Sequence, residues 1–119
     1  MEFKEHKAIY LQIAESLCER ILSGKWNAED RIPSVRELGA KLGVNPNTVA
    51  RTYDHLQQRE IIYNKRGIGY FVAPGARQEI VKTLRERFLN EELPVFFKRM
   101  DMLSISLNEI ETFYKQESK

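Results

Sequence analysis

The sequence has one cysteine, Cys18, two histidines, His6 and His55, and only four prolines in 119 residues. A lone cysteine excludes an intrachain disulfide and any multi-cysteine zinc site, and Cys18 reads as a small apolar helix residue. Neither histidine stands at a metal-like spacing from a second ligand, so no metal and no cofactor is expected. Apolar runs stop well short of the ~20 residues that a membrane span needs. The opening MEFKEHKAIY mixes both charge signs and lacks the apolar core of a signal peptide, so a cytoplasmic location and no membrane partner are expected. No nucleophile motif is present, and Gly67-Ile68-Gly69 is too short for a nucleotide fingerprint and precedes a strand rather than a helix. An enzyme has no residues to stand on here.

What remains is an ordinary globular composition, 42% hydrophobic and 30% charged, with a net charge of +2. That charge is too small to identify a partner, but it is unevenly placed. Between Ser34 and Arg66 six basic residues (Arg36, Lys41, Arg51, Arg59, Lys65, Arg66) face three acidic ones (Glu37, Asp54, Glu60). Residues 73–119 carry eight of each sign. The basic excess therefore lies in one stretch, as a phosphate-binding face requires.

Hydrophobic spacing orders the chain. Ile9, Ile13, Leu17 and Ile21 predict a helix over about 8–23, with Gln12, Glu15, Glu19 and Arg20 elsewhere on its surface and Gly24 ending it. The KWNAED loop follows, with Trp26 expected to fold back onto the core, and Arg31-Ile32 reads as a very short strand. Ser34 with Glu37 forms a capping box that opens a second helix, whose apolar face is Val35, Leu38 and Leu42. Gly43-Val44-Asn45 is a turn. Asn45 caps a third helix with Pro46 at its first position, and Val49, Tyr53 and Leu56 form its buried side. That leaves Asn47, Thr48, Arg51, Thr52 and His55 on its other faces. Two short helices around a glycine turn make a helix-turn-helix. The β-rich runs IIYNK and GYFV around Arg66-Gly67-Ile68-Gly69 then make a hairpin, which completes the order of a winged helix.

Ala73-Pro74-Gly75 marks a boundary. Beyond it a helix is expected over about 76–89, and after Asn90 a final one over about 93–115. The latter carries Leu93, Phe96, Met100, Leu103, Leu107, Ile110 and Tyr114, alternately three and four residues apart. An unbroken seam of this kind implies a partner helix. The expected architecture is α+β and mainly helical: a winged helix-turn-helix domain over residues 1–73 and a helical segment over 74–119.

The residue types on the third helix suit base reading. Asn can pair bidentately with adenine, Arg with guanine, and a Thr methyl can touch thymine; Asn47, Thr48 and Arg51 stand at the helix's N-terminal end, where a recognition helix meets base edges. The start of the second helix offers Ser34, Arg36 and free amides to an anion. Lys65 and Arg66 sit at the hairpin tip beside Gly67 and Gly69, where a wing meets the DNA backbone or minor groove. Two other readings stay open at this point: a winged helix that binds protein only, and a sensor holding a small molecule of unknown identity near the C-terminal helices.

Four segments carry a family resemblance: Ile9-Tyr10-x-Gln12-Ile13, Arg31-Ile32-Pro33-Ser34-x-Arg36-Glu37-Leu38, Gly43-Val44-Asn45-Pro46-Asn47-Thr48-Val49-x-Arg51 and Gly67-x-Gly69-x-Phe71-Val72. Together they resemble the GntR family of transcription regulators, and the Asn-Pro-Asn-Thr-Val segment with the brief tail resembles its YtrA-like subfamily. The resemblance implies a homodimeric repressor that binds double-stranded operator DNA. It implies DNA contacts from Arg36, Asn47, Thr48 and Arg51, a wing holding Gly67 and Gly69, and dimerisation by two C-terminal helices. Ser34, Asn45, Lys65 and Arg66 join the candidate DNA-binding residues by their own positions, and the seam residues are the candidate dimer interface. In one departure, Tyr70 stands where the family usually has a small Thr or Ser.

Overall fold

The computed structural model describes Phe3 and residues 7–118. The chain runs α1 (Ile9–Leu22), β1 (Arg31–Ile32), α2 (Val35–Leu42), α3 (Pro46–Gln58), β2 (Ile62–Lys65), β3 (Gly69–Val72) and α4 (Ala76–Arg87). A π-helical turn (Phe88–Glu92), α5 (Leu93–Met102) and α6 (Leu107–Glu117) follow. It divides into two compact units, one ending at Lys82 and the other beginning at Thr83.

In the first unit, α1, α2 and α3 enclose a core of Ile13, Leu17, Ile21, Leu38, Val49, Tyr53 and Leu56, closed by Ile61, Ile62 and Val72. The sheet has the order β1-β3-β2, antiparallel throughout. Tyr63 pairs with Phe71 and Arg31 with Phe71 as well, so these three share one face, while Ile32, Ile62 and Val72 are buried on the other. The first turns of α4 join the same core through Ala76 and Ile80. Trp26 is half-buried against the core, with the Arg20 guanidinium 5.5 Å above its ring. Cys18 is buried, and desolvation raises its thiol pKa, which makes it unreactive packing.

Side chains satisfy orphan amides at the starts of α2 and α3. Ser34 Oγ accepts from the Glu37 amide at 3.1 Å and the Glu37 carboxylate accepts from the Ser34 amide at 3.0 Å. Asn45 Oδ1 accepts from the Asn47 amide at 2.8 Å, with Pro46 in the first turn. The link between α2 and α3 is unusually tight. Gly43 takes a left-handed conformation at φ 66°, and the Val44 amide bonds back to the Gly39 carbonyl at 2.9 Å.

Four expectations need correction. Thr52 is buried, because its hydroxyl donates to the Tyr10 carbonyl at 2.8 Å and to the Thr48 carbonyl at 3.2 Å. Satisfied in that way, a small polar side chain is tolerated inside. Gln12 is also buried, with its amide nitrogen on the Lys7 carbonyl at 2.7 Å, and Ile9 is exposed at the start of α1 instead. The expected break after Asn90 is absent: helix runs on through the π-helical turn. Pro94 lacks an amide and its ring crowds the carbonyl four residues back, which is Asn90; a locally widened turn accommodates both effects without ending the helix.

The expected continuous helix over 93–115 is two helices. After Met102 the chain turns through Ser104 at φ 56°, with the Ile105 amide on the Met100 carbonyl (2.9 Å) and the Ser104 amide on Asp101 (3.2 Å). That is a Schellman ending. Ser106 and Glu109 then form a second capping box that starts α6. The three-four spacing of apolar residues crosses this corner, so it does not define one coiled-coil seam.

Gly39 decides whether the α2–α3 turn can close. A Cβ there would lie 2.8 Å from the Val44 carbonyl oxygen, a backbone atom that cannot swing away. Elsewhere in a helix, Gly→Ala is worth up to about 1 kcal/mol of added stability. Gly39→Ala is expected to do the opposite, lowering unfolding free energy by roughly 1–3 kcal/mol in urea titration. A stabilised variant would show that the turn opens at no cost.

Candidate nucleic-acid interface

The N-terminal half of α3 presents its polar side chains outward because Val49, Tyr53 and Leu56 anchor the opposite face. Asn47 and Arg51 are exposed and Thr48 is half-buried. Asn45 is exposed, but its carboxamide oxygen is held by the cap. At the start of α2, Ser34 and Arg36 are exposed. The Ser34 amide and hydroxyl serve the capping box, so any anion arriving there meets the remaining first-turn amides and Arg36. Hydrogen bonds from Ser34, first from its backbone and then its side chain, hold the Glu37 carboxyl below its usual pKa. A charged Glu37 therefore completes the cap at neutral pH.

The hairpin brings the other basic residues together. Lys65 lies with its ammonium 4.8 Å over the Phe71 ring, and Phe71 stacks on Tyr63 at 5.7 Å. Arg66 and Gly67 form the exposed tip, Gly67 with φ 77°. Gly69 has φ 144°, and a Cβ on it would lie 3.1 Å from Arg31 Nε. The absence of a side chain at 69 thus gives Arg31 its place on the wing. Arg31 was not singled out by sequence reading, since a residue of a two-residue strand carries no periodicity. Its pairing with Phe71, across the sheet and far along the chain, puts it there.

Tyr70 is explained by the register. It pairs with Ile32 and Asn64 on the core side and meets the Tyr53 ring edge-on at 4.8 Å. The larger residue therefore fills space beneath the sheet rather than altering the outward wing surface. A second residue that sequence reading left without a role is Tyr10 on α1. The Arg51 Cζ lies 4.0 Å from its ring centroid. The IYxQI segment was visible, but nothing local connects position 10 to position 51.

The seam residues lie in the second unit. Met100 is buried and Leu93 and Ile110 are half-buried, whereas Leu103, Leu107 and Tyr114 are 67%, 70% and 71% exposed, and Phe96 is exposed too. Among the described residues there is no group of three or more His, Cys, Asp or Glu able to hold a metal, and no helix is long and apolar enough to cross a membrane.

The α2–α3 geometry depends on Tyr53. It is fully buried, and its hydroxyl donates to the Pro33 carbonyl at 2.6 Å just ahead of α2. Desolvation, the largest cause, keeps the phenol well above its usual pKa, so it stays a donor. Tyr53→Phe is expected to cost about 1 kcal/mol in equilibrium unfolding. No loss would mean that the Pro33 carbonyl finds another partner.

Comparison with known proteins agrees with this arrangement. Residues 9–72 match the family described as bacterial regulatory proteins, gntR family. The chain is 38% identical over 109 residues to the uncharacterised HTH-type transcriptional regulator YhcF of Bacillus subtilis, spanning 92% of this chain and 88% of YhcF. It is 30% identical to the HTH-type transcriptional repressor YtrA of the same organism, over 92% of this chain and 84% of YtrA. A Bacteroides thetaiotaomicron protein, crystallised and assigned to the GntR family, superimposes with a TM-score of 0.80 at 51% identity, covering 92% of this chain and 95% of that one. A winged helix-turn-helix that turns Asn47 and Arg51 of α3 outward, matched over 92% of its length by such regulators, is not an enzyme: the chain belongs to the GntR family, in its YtrA-like group, and is a DNA-binding transcription regulator.

Proposed function

We propose that the protein is a repressor that binds a pseudo-palindromic operator as a homodimer, working in the cytoplasm. Residues 1–73 form the DNA-binding part and residues 74–119 the dimerising part. The observation that carries the reading is the exposed Asn47 and Arg51, with the half-buried Thr48 between them, on the N-terminal half of α3, backed by a fully buried opposite face. Two copies of α3 enter successive major grooves, with half-site centres about 34 Å apart. Asn47, Thr48 and Arg51 read base edges. Ser34, Arg36, Asn45, Lys65, Arg66, Gly67 and Gly69 meet the backbone and hold register. That YtrA is a repressor supports the sign of regulation.

Dimerisation rests on the apolar load of the second unit. Leu84, Phe88, Leu89, Val95, Phe96, Phe97, Met102, Leu103, Leu107, Phe113 and Tyr114 are all exposed in the single chain. So many exposed large apolar side chains in one short segment are uncommon in a monomer and mark an interaction surface. The partner proposed here is a second copy, because operator symmetry requires one and a single module makes few base contacts.

The first test is fluorescence anisotropy with DNA from upstream of the protein's own gene and with scrambled DNA, at two salt concentrations. Sequence-preferring binding that weakens with salt is expected, at two chains per site. Arg51→Ala should cost about 1–3 kcal/mol on the preferred DNA and much less on scrambled DNA. Equal losses on both would make Arg51 a phosphate contact. In sedimentation equilibrium the wild type should have twice the 14.0 kDa chain mass. Leu107→Asp, at an exposed position, should yield a folded monomer; an unchanged dimer would move the interface away from α6.

A further inference from the structure

Tyr10 is the part of the IYxQI segment that DNA binding has not absorbed. Three side chains of α3 surround it. Arg51 lies over its ring with Cζ 4.0 Å from the centroid. His55 meets the ring at 6.0 Å and 80°. Thr52, buried, donates its hydroxyl to the Tyr10 carbonyl at 2.8 Å. The ring is thus fixed by the same helix whose arginine it carries.

We propose that Tyr10 is a positioning residue for DNA recognition: an aromatic platform on α1 that holds the Arg51 guanidinium in its base-reading orientation before DNA arrives. The inference rests on the reading of Arg51 as a base contact. A guanidinium seated flat on a ring keeps its N–H donors, which lie in its own plane, free for an incoming base. A carboxylate partner would instead occupy those donors, and among the described residues Arg51 has no salt bridge. Desolvation, and secondarily Arg59, hold the His55 imidazole below its usual pKa, so at neutral pH no second cation competes for the Tyr10 ring. Ordering a free arginine at an interface costs binding energy, and a pre-stacked one has already lost that freedom.

The test uses the intact protein and the duplex that the wild type enriches from a randomised pool, with a scrambled duplex as control. Tyr10→Phe keeps the ring and should bind within about twofold of wild type. Tyr10→Leu should weaken binding to the enriched duplex roughly three- to tenfold, with less than about twofold change on the scrambled one. Combined with Arg51→Ala, Tyr10→Leu should add little further loss. Equal loss on both duplexes, full additivity with Arg51→Ala, or a Tyr10→Phe variant as weak as Tyr10→Leu would each overturn the proposal. If Arg51→Ala leaves specific binding intact, the base-reading assignment itself fails, which is a separate outcome. Should Tyr10→Leu not fold, the wild-type Arg51 Nε–H proton settles the matter by NMR. A ring-current shift that Tyr10→Phe preserves is expected, and an unshifted resonance in the DNA-free protein would refute the platform.

Discussion

Tyr53 is the side chain through which the N-terminal unit is held to one geometry. Its ring is buried among the core residues of α3, its edge meets Tyr70 under the sheet, and its hydroxyl holds the Pro33 carbonyl ahead of α2. One residue therefore ties α3 to the approach of α2 and to the wing strand β3. A buried phenol is costly without an acceptor, so the Pro33 carbonyl is part of the core as much as any methyl group. Displace that bond and the angle at which α3 presents Asn47 and Arg51 is no longer determined.

The α2–α3 corner works with it by close approach. Gly39 lets the Val44 carbonyl sit where a methyl would otherwise be, and Gly43 supplies the left-handed turn. Capping at Ser34 and Asn45 then starts both helices without exposed, unsatisfied amides in the cap positions. The outward side of α3 is left polar because its inward side has no room for anything else. Recognition chemistry is thus a consequence of packing: the exposed residues are those that the core does not claim.

In the second unit the balance is reversed. Its helices are well formed locally, with a Schellman ending at Ser104 and a capping box at Ser106, yet most of their large apolar side chains face outward. Local signals overrode the longer apolar rhythm. Ser106 and Glu109 were readable as a capping box, but the even spacing from Leu93 to Tyr114 pointed to one helix.

By itself, the sequence determined where most elements begin and end in the N-terminal unit, since capping boxes, proline at a first turn and glycine past a helix act over three or four residues. Ser34 with Glu37, Asn45 with Pro46 and the Gly67–Gly69 turn were legible for that reason. So were the outward Asn47 and Arg51, which follow from the buried period of α3. Tertiary structure alone decided what depends on distant partners. Thr52 looks like a surface residue until the carbonyl of Tyr10 is seen beside it. Arg31 reaches the wing only because β1 pairs with β3, and Tyr10 meets Arg51 only because α1 crosses α3. Polar side chains are placed by whichever partner folding brings within about 3 Å, and no local pattern encodes a partner forty residues away.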